Sequence, residues 1–209
     1  MAQKESTFLN MTVTLFLITA VAAASLGFVN EFTKKPIAQV KEDKLKESIN
    51  LVVPGAGNGK IKNFSIAQAE GGDSLYFYEV YVNEKLIGTA IKTYTNIGFS
   101  GHFTVMVGFD AEGNIIDNNV LEHKETPGLG DKTSKAKSIW NEQFNGKNPA
   151  QYKLVVKKDG GDVDAITAAT ISSRAYCDAL RRAYTAFADY YKLNSVSVEN
   201  ADQKNGGTE

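Results

Sequence analysis

An uncharged apolar run, MTVTLFLITAVAAASLGFV (Met11–Val29), constrains this chain more than any other feature. As a helix it spans about 28 Å at 1.5 Å per residue, close to the roughly 30 Å hydrocarbon core of a bilayer. The rival reading is a cleaved signal peptide, with Lys4 in the charged leader and Ala22-Ala23-Ala24 as the small residues for cleavage. The apolar run continues past that point through Leu26, Gly27, Phe28 and Val29, which favours an anchor. The expected organisation is then a short cytoplasmic tail at 1–10 and a transmembrane anchor at 11–29. Lys34 and Lys35 follow the run and Lys4 precedes it. Read literally, that bias keeps the remainder in the cytoplasm, but the rule is weak for large translocated domains and does not decide the side.

The remainder of the 209 residues suffices for one domain. A formal net charge of −1 excludes the strong basic field of a nucleic-acid binder. A single cysteine, Cys177, excludes an intrachain disulfide framework and a cysteine-based metal cluster. His102 and His123 are too few for most zinc sites, so no metal site is expected. Electron transfer through such a chain needs an organic cofactor. There is no dinucleotide fingerprint and no evident acid or base for hydride transfer, so no catalytic residue is assigned.

Beyond Pro36, IAQVKEDKLKESINLVV carries a rough apolar stripe of Ile37, Val40, Leu45, Ile49 and Val52. It reads as an amphipathic helix stopped by Pro54-Gly55, so 30–60 is taken as helix and linker. LYFYEVYV (Leu75–Val82) and LIGTAIKTYT (Leu86–Thr95) form one expected hairpin; HFTVMVGF (His102–Phe109) and NIIDNNVLEH (Asn114–His123) form a second. A helix is expected over residues 131–146, with Ala136, Ile139, Trp140 and Phe144 on one face. YKLVVKK reads as a strand, and a last helix runs from about Ser172 to Lys192 with Tyr176, Ala179, Leu180, Ala183, Phe187 and Tyr190 as its stripe. The tail at 194–209 is polar and expected to be disordered. The expected fold class is α+β: an N-terminal transmembrane helix, then a single domain at 61–193 with a mainly antiparallel sheet packed with helices.

Three motifs carry the chemistry. VDAITAATISSRAY (Val163–Tyr176) places Thr167, Thr170, Ser172 and Ser173 at the mouth of a helix. The plain reading is a cap, with Thr170 or Ser172 satisfying free N–H groups. The same helix end, partly positive and rich in donors, attracts phosphate, and the small Ala168 and Ala169 let it approach. Threonine and serine are poor nucleophiles without a base, so covalent attachment there needs a separate enzyme. HKETPGLGD (His123–Asp131) is either an ordinary Pro-Gly turn with Asp131 as a helix cap, or a backbone cradle for a ligand. GFSG (Gly98–Gly101) is either a glycine-rich bend or a close-approach site with an aromatic face, Phe99. The other singled-out groups read plainly: Cys177 as a buried small residue, the histidines as strand residues, and lysines 41, 44 and 46 as a solvated face.

These motifs, in this order behind one anchor, resemble the membrane-bound FMN-binding domain family. That family includes the G subunit of the Rnf electron transport complex and the C subunit of the sodium-pumping NADH:quinone reductase. Its flavinylation motif has an Asp, a short spacer, then Ser/Thr-Gly-Ala-Thr and a further Ser/Thr. Here it reads Asp164, Ala165-Ile166, Thr167-Ala168-Ala169-Thr170, with Ser172 following. Ala168 stands where the family has Gly. The resemblance implies FMN held covalently by a phosphoester on Thr170, installed by a flavin transferase, so that the chain is phosphorylated through its cofactor. ETPGLG matches the pattern of the Rnf protein and implies that Glu125, Thr126, Gly128 and Leu129 lie beside the flavin. Gly98, Phe99 and Gly101 are similar to the family's Gly-Tyr-x-Gly, with Phe99 keeping the stacking face and losing the phenol.

The resemblance also implies a function: an electron-carrier subunit in the cytoplasmic membrane, with its FMN domain on the periplasmic or extracytoplasmic side. Its partners would be the other membrane and iron–sulfur subunits of an Rnf complex coupling ferredoxin–NAD electron transfer to Na⁺ or H⁺ translocation. The chain would not turn over NAD by itself. The alternatives are the C subunit of the sodium-pumping quinone reductase, and a tethered sensory or scaffold domain without flavin.

Overall fold

The computed structural model describes residues 7–68 and 72–204, with side chains as far as residue 192. It divides into two compact units, Met1–Lys44 and Leu45–Glu209.

The first unit consists of helix from Phe8 onward, part of α1 (Phe8–Val52). It is long and apolar enough to cross a membrane, and none of its apolar window is buried within the chain. Its hydroxyls are satisfied along the helix itself: Thr12 donates to the Phe8 carbonyl, Thr19 to Leu15, Ser25 to Val21 and Thr33 to Val29. That back-bonding lets polar side chains lie in an apolar surround without a tertiary partner. Pro36, which in the sequence reads as the start of a separate helix, lies inside α1. Proline removes one backbone donor, and here the helix continues on both sides of it. Of the expected apolar stripe, Ile37 and Val40 are exposed.

In the second unit β1 (Lys60–Ile66), β2 (Leu75–Val82), β3 (Lys85–Gly98), β4 (Gly101–Phe109) and β5 (Ile115–Glu122) form one antiparallel meander in sequence order. Both expected hairpins are present. Asn83 and Glu84 join β2 to β3 with φ of 50° and 65°, the twist-compatible two-residue turn of a hairpin. The sheet is buried on both faces. On one, Leu45, Ile49 and Val52 from the end of α1 pack with Val80, Ala90 and Met106. On the other, α2 (Thr170–Lys204) lays Tyr176, Ala179, Leu180, Ala183 and Phe187 against Phe77, Ile91, Phe103, Val105 and Phe109. These are the stripe residues expected for the last helix, and the α+β class holds as expected. Helix α2 extends to Lys204; of the expected disordered tail, residues 205–209 and the side chains from 193 lie outside the described residues.

Two hydrogen bonds fix α2 across β3: Thr93 Oγ1 donates to the Ala179 carbonyl at 3.1 Å and Thr95 Oγ1 to Asp178 Oδ2 at 3.0 Å. Farther along, Thr89 Oγ1 meets the Tyr191 hydroxyl at 2.7 Å. As β3 advances from residue 89 to 95, its partners in α2 run backwards from 191 to 178. The helix therefore lies antiparallel to β3, and its N-terminus meets the β3–β4 hairpin tip.

Three expectations are corrected. The segment at 131–146 is not an α-helix but two short 3-10 turns, Gly130–Thr133 and Trp140–Phe144. Side chains compete there with helical bonding: the Trp140 N–H donates to Ser138 Oγ, which donates to the Lys132 carbonyl, while the Gln143 amide bonds the backbone of Asp164. Ile139, placed on the expected buried face, is 76% exposed. YKLVVKK is not a strand; it contributes a single parallel bridge, Val156 to Val163, with Leu154 and Val156 anchoring the loop in the core. β1 forms where the sequence suggests no strand, because this edge strand is mostly exposed and lacks a clean alternation.

Candidate functional site

The antiparallel setting of α2 on β3 brings the three sequence motifs into one place. An open cavity of about 290 Å³ lies between the β3–β4 tip, the loop after β5 and the start of α2. Phe99, 64% exposed at the tip, forms one wall. Glu125, Thr126, Leu129 and Gly130 come from the loop, and Ala168, Ala169, Thr170, Ile171 and Ser172 from the helix end.

Glu125 ties the three together. It is 5% exposed. Its Oε1 accepts the Ser100 N–H at 3.0 Å and its Oε2 accepts the Ser172 hydroxyl at 2.6 Å. Its own N–H donates to His123 Nδ1 at 3.2 Å, so His123 supports the loop from outside the cavity. Two glycines make room for the carboxylate. A Cβ on Gly98 would stand 2.7 Å from Glu125 Oε1, and one on Gly130 would stand 2.5 Å from Oε2 and 2.4 Å from Ser172 Oγ. Both positions require a bare backbone.

The expected cap, Thr170 or Ser172, is corrected. The helix starts at Thr170, so the cap position falls on Ala169, which has no side-chain acceptor, and the Ser172 hydroxyl is turned to Glu125. Ser173 is buried, accepts the Ile166 N–H at 2.9 Å and donates to the Ala169 carbonyl at 3.0 Å, so it pins the approach loop instead. The Thr170, Ile171 and Ser172 N–H groups have no partner among the described residues. The half-buried Thr170 lines the cavity, and its hydroxyl likewise has no partner among them. The result is an uncapped helix end, carrying roughly half a positive charge, that opens into a cavity with a free hydroxyl on its rim. Its chemistry suits an anionic group on a flat, partly apolar body: donors for phosphate on one wall, Phe99, Leu129 and Ile171 on the others. A phosphorylated flavin fits that donor set.

Other expected site residues stand apart from the cavity. Gly101 (φ +91°) and Gly128 (φ +78°) shape the two turns, and Gly98 serves through its bare backbone. Thr167 is exposed and does not line the cavity. Asp164 points to solvent with its side chain 70% exposed and paired to Lys157 at 2.7 Å. Its backbone is held firmly: the carbonyl accepts from Trp140 Nε1 at 2.6 Å and the N–H donates to Gln143 Oε1 at 2.9 Å. Ala168 has φ +61°, the left-handed region, which gives a physical reason for glycine at this position in the resembling family. Gly130, read from the sequence as part of a turn that could cradle a ligand, does line the cavity; sequence reasoning missed Ile171 as a wall residue and Ser100 as the donor to Glu125. The available signal for Ile171 was an apolar residue alone among hydroxyls in a first helical turn. Asp131, expected at most as a cap, is buried in a 3-10 turn with Oδ1 unpaired among the described residues.

Behind the site the structure is stiff. Tyr176 is buried against Phe144, Trp140 and Phe103 and donates its hydroxyl to Asn118 Oδ1, which puts its ionisation well above the usual phenol range through burial. Burial also pushes the Cys177 thiol up to about 12. Arg174 makes a two-point contact with Asp159 at 2.6 and 2.8 Å, which lowers the Asp159 carboxyl.

The family model for the FMN-binding domain matches residues 98–185, from the hairpin tip through most of the core half of α2. Similar curated proteins are named as the G subunit of an ion-translocating oxidoreductase complex. One from Shewanella amazonensis is 36% identical over 172 residues, covering 78% of this chain and 80% of its own. One from Erwinia tasmaniensis is 34% identical, covering 81% and 85%. One from Escherichia coli K12 is 32% identical, covering 82% and 86%. With an apolar N-terminal helix ahead of an antiparallel sheet and a C-terminal helix, the chain belongs to the G-subunit family of ion-translocating oxidoreductase complexes and carries its FMN-binding domain.

Proposed function

We propose that this chain is a membrane-anchored electron carrier with FMN joined covalently to Thr170 through a phosphoester. One observation carries the reading: Thr170 opens an uncapped helix on the wall of the cavity, and its hydroxyl has no partner among the described residues. The bound flavin supplies one- and two-electron redox chemistry; the chain supplies tether, orientation and surroundings. The Thr170, Ile171 and Ser172 N–H groups and the α2 dipole stabilise the charge left on the phosphodiester. Phe99, Leu129 and Ile171 keep water from the apolar part of the cavity. Glu125 holds the hairpin tip against the helix. Asp164, outside the cavity and rigid in backbone, is available to the flavin transferase rather than to the flavin.

The names of the relatives support a place in an Rnf-type complex. There the chain passes electrons among membrane and iron–sulfur subunits that themselves handle ferredoxin and NAD, with the flow coupled to Na⁺ or H⁺ translocation. The α1 anchor holds the domain at the extracytoplasmic face, where a covalent link prevents loss of the cofactor. An intact mass spectrum after co-expression with a flavin transferase tests this. The expected gain is one FMN less one water, confined to the 163–174 peptide and absent from Thr170→Ala. Flavin retained by that variant after denaturation would overturn the attachment.

A further inference from the structure

We propose that Glu125 fixes a negative charge on the wall of the flavin cavity and thereby holds the flavin's midpoint potential low. The proposal rests on the flavin reading above. Two donors reach this side chain from different elements, the Ser100 N–H from the hairpin tip and the Ser172 hydroxyl from α2. Each takes a separate oxygen. A carboxylate offers two acceptor oxygens, whereas an amide offers one. Accepting from both donors at once, one on each oxygen, is what a carboxylate does and an amide cannot do without reversing the Ser172 bond. The donors are neutral, and none of the ion pairs among the described residues involves Glu125. Gly98 and Gly130 admit the oxygens so closely that nothing else can be interposed on those sides.

The consequence is electrostatic. Glu125 is buried, and it lines the same cavity as Phe99 and Thr170. Reduction adds negative charge to a flavin unless protons follow, and a fixed carboxylate opposes that addition more strongly in a buried wall than in water. The Ser172 bond spreads part of the charge, so it offsets the effect. Glu125 is thus a positioning residue whose charge is read out in the potential.

The test uses the full chain, purified in detergent after co-expression with a flavin transferase, with the potential taken by spectroelectrochemical titration. Glu125→Gln keeps the shape: its oxygen accepts from Ser100, and its amide donates to Ser172 Oγ, which reverses its role. The expected result is a shift of the midpoint to more positive values. Ser172→Ala keeps the carboxylate and removes one donor, and its midpoint should shift the other way. Shifts of the same sign in both variants mean a loosened cradle and overturn the proposal, as does an unmoved midpoint in E125Q. Should E125Q fail to load flavin, the Ser172→Ala shift alone decides: downward supports the proposal, and upward or none overturns it. Wild-type chain that takes no flavin would sink the functional reading instead, a separate outcome.

Discussion

Ala168 offers the sharpest test of the local reading, because the sign of the expected effect runs against habit. Placing glycine beside a helix usually costs stability, by about 0.5–1 kcal/mol of extra unfolded-state entropy relative to alanine. At Ala168 the backbone has φ +61°, where an L residue with a Cβ is disfavoured by roughly 1–2 kcal/mol. Ala168 is exposed, so removing its methyl group forfeits little packing. The mid-range difference leaves Ala168→Gly more stable by about 0.75 kcal/mol. For a domain of this size, that raises the melting temperature by roughly 2–4 °C per kcal/mol. Ala169 is the control. It is adjacent and small, but buried and free of positive φ. Ala169→Gly loses a buried methyl as well as backbone order, and should cost about 1–2 kcal/mol. Scanning calorimetry of the full chain in detergent reads both. If A168G melts at or below the wild type, the left-handed strain is not where the geometry puts it. Equal losses at both positions would have the same meaning.

Three further outcomes follow from the same geometry. Gly130→Ala drives a Cβ to 2.4 Å from Ser172 Oγ and 2.5 Å from Glu125 Oε2; it should cost about 1–3 kcal/mol by overpacking and reduce flavin loading, measured by in-gel fluorescence after denaturation. Tyr176→Phe leaves Asn118 Oδ1 without the donor it has now, for a loss of about 1–3 kcal/mol in chemical denaturation. With its pKa pushed up to about 12 by burial, Cys177 has almost no thiolate at pH 8. It should resist iodoacetamide in the folded chain and react fully in denaturant; labelling of the native protein would contradict the burial.

Legibility followed burial. The hairpins and the last helix could be read because each buries a strong repeating face: alternation in LYFYEVYV, and spacing of three and four in Tyr176, Ala179, Leu180, Ala183 and Phe187. β1 escaped notice because an edge strand exposed along most of its length carries little of that pattern. Residues 131–146 misled in the opposite direction. They show a helical stripe, but Asn141 and Gln143 bond to backbone elsewhere, Ser138 takes up backbone groups within the segment, and the segment is held in 3-10 turns. The site was legible as three motifs, and what joins them was not. That Ser100, Glu125 and Ser172 meet depends on α2 running antiparallel to β3, a tertiary fact with no local signature.

The same limit explains the hydroxyls at the mouth of α2. A serine or threonine at a helix start is worth about 0.5–2 kcal/mol as a cap, so sequence alone favours that use. Here Ser172 and Ser173 are both engaged elsewhere, on Glu125 and on the Ile166–Ala169 loop. Three N–H groups at this helix end, on residues that line the cavity, have no partner among the described residues. The cap position itself falls on Ala169, whose methyl group cannot accept a hydrogen bond. Leaving the donors free is reasonable where an anionic ligand takes the place of the cap, and the helix then gains its missing stabilisation only when that ligand is bound. On this reasoning the flavinylated chain should melt higher than the same chain made without a flavin transferase, and Thr170→Ala should remove the difference. Identical melting of the loaded and unloaded wild type would mean that the helix end is solvated and that the phosphate is not its cap.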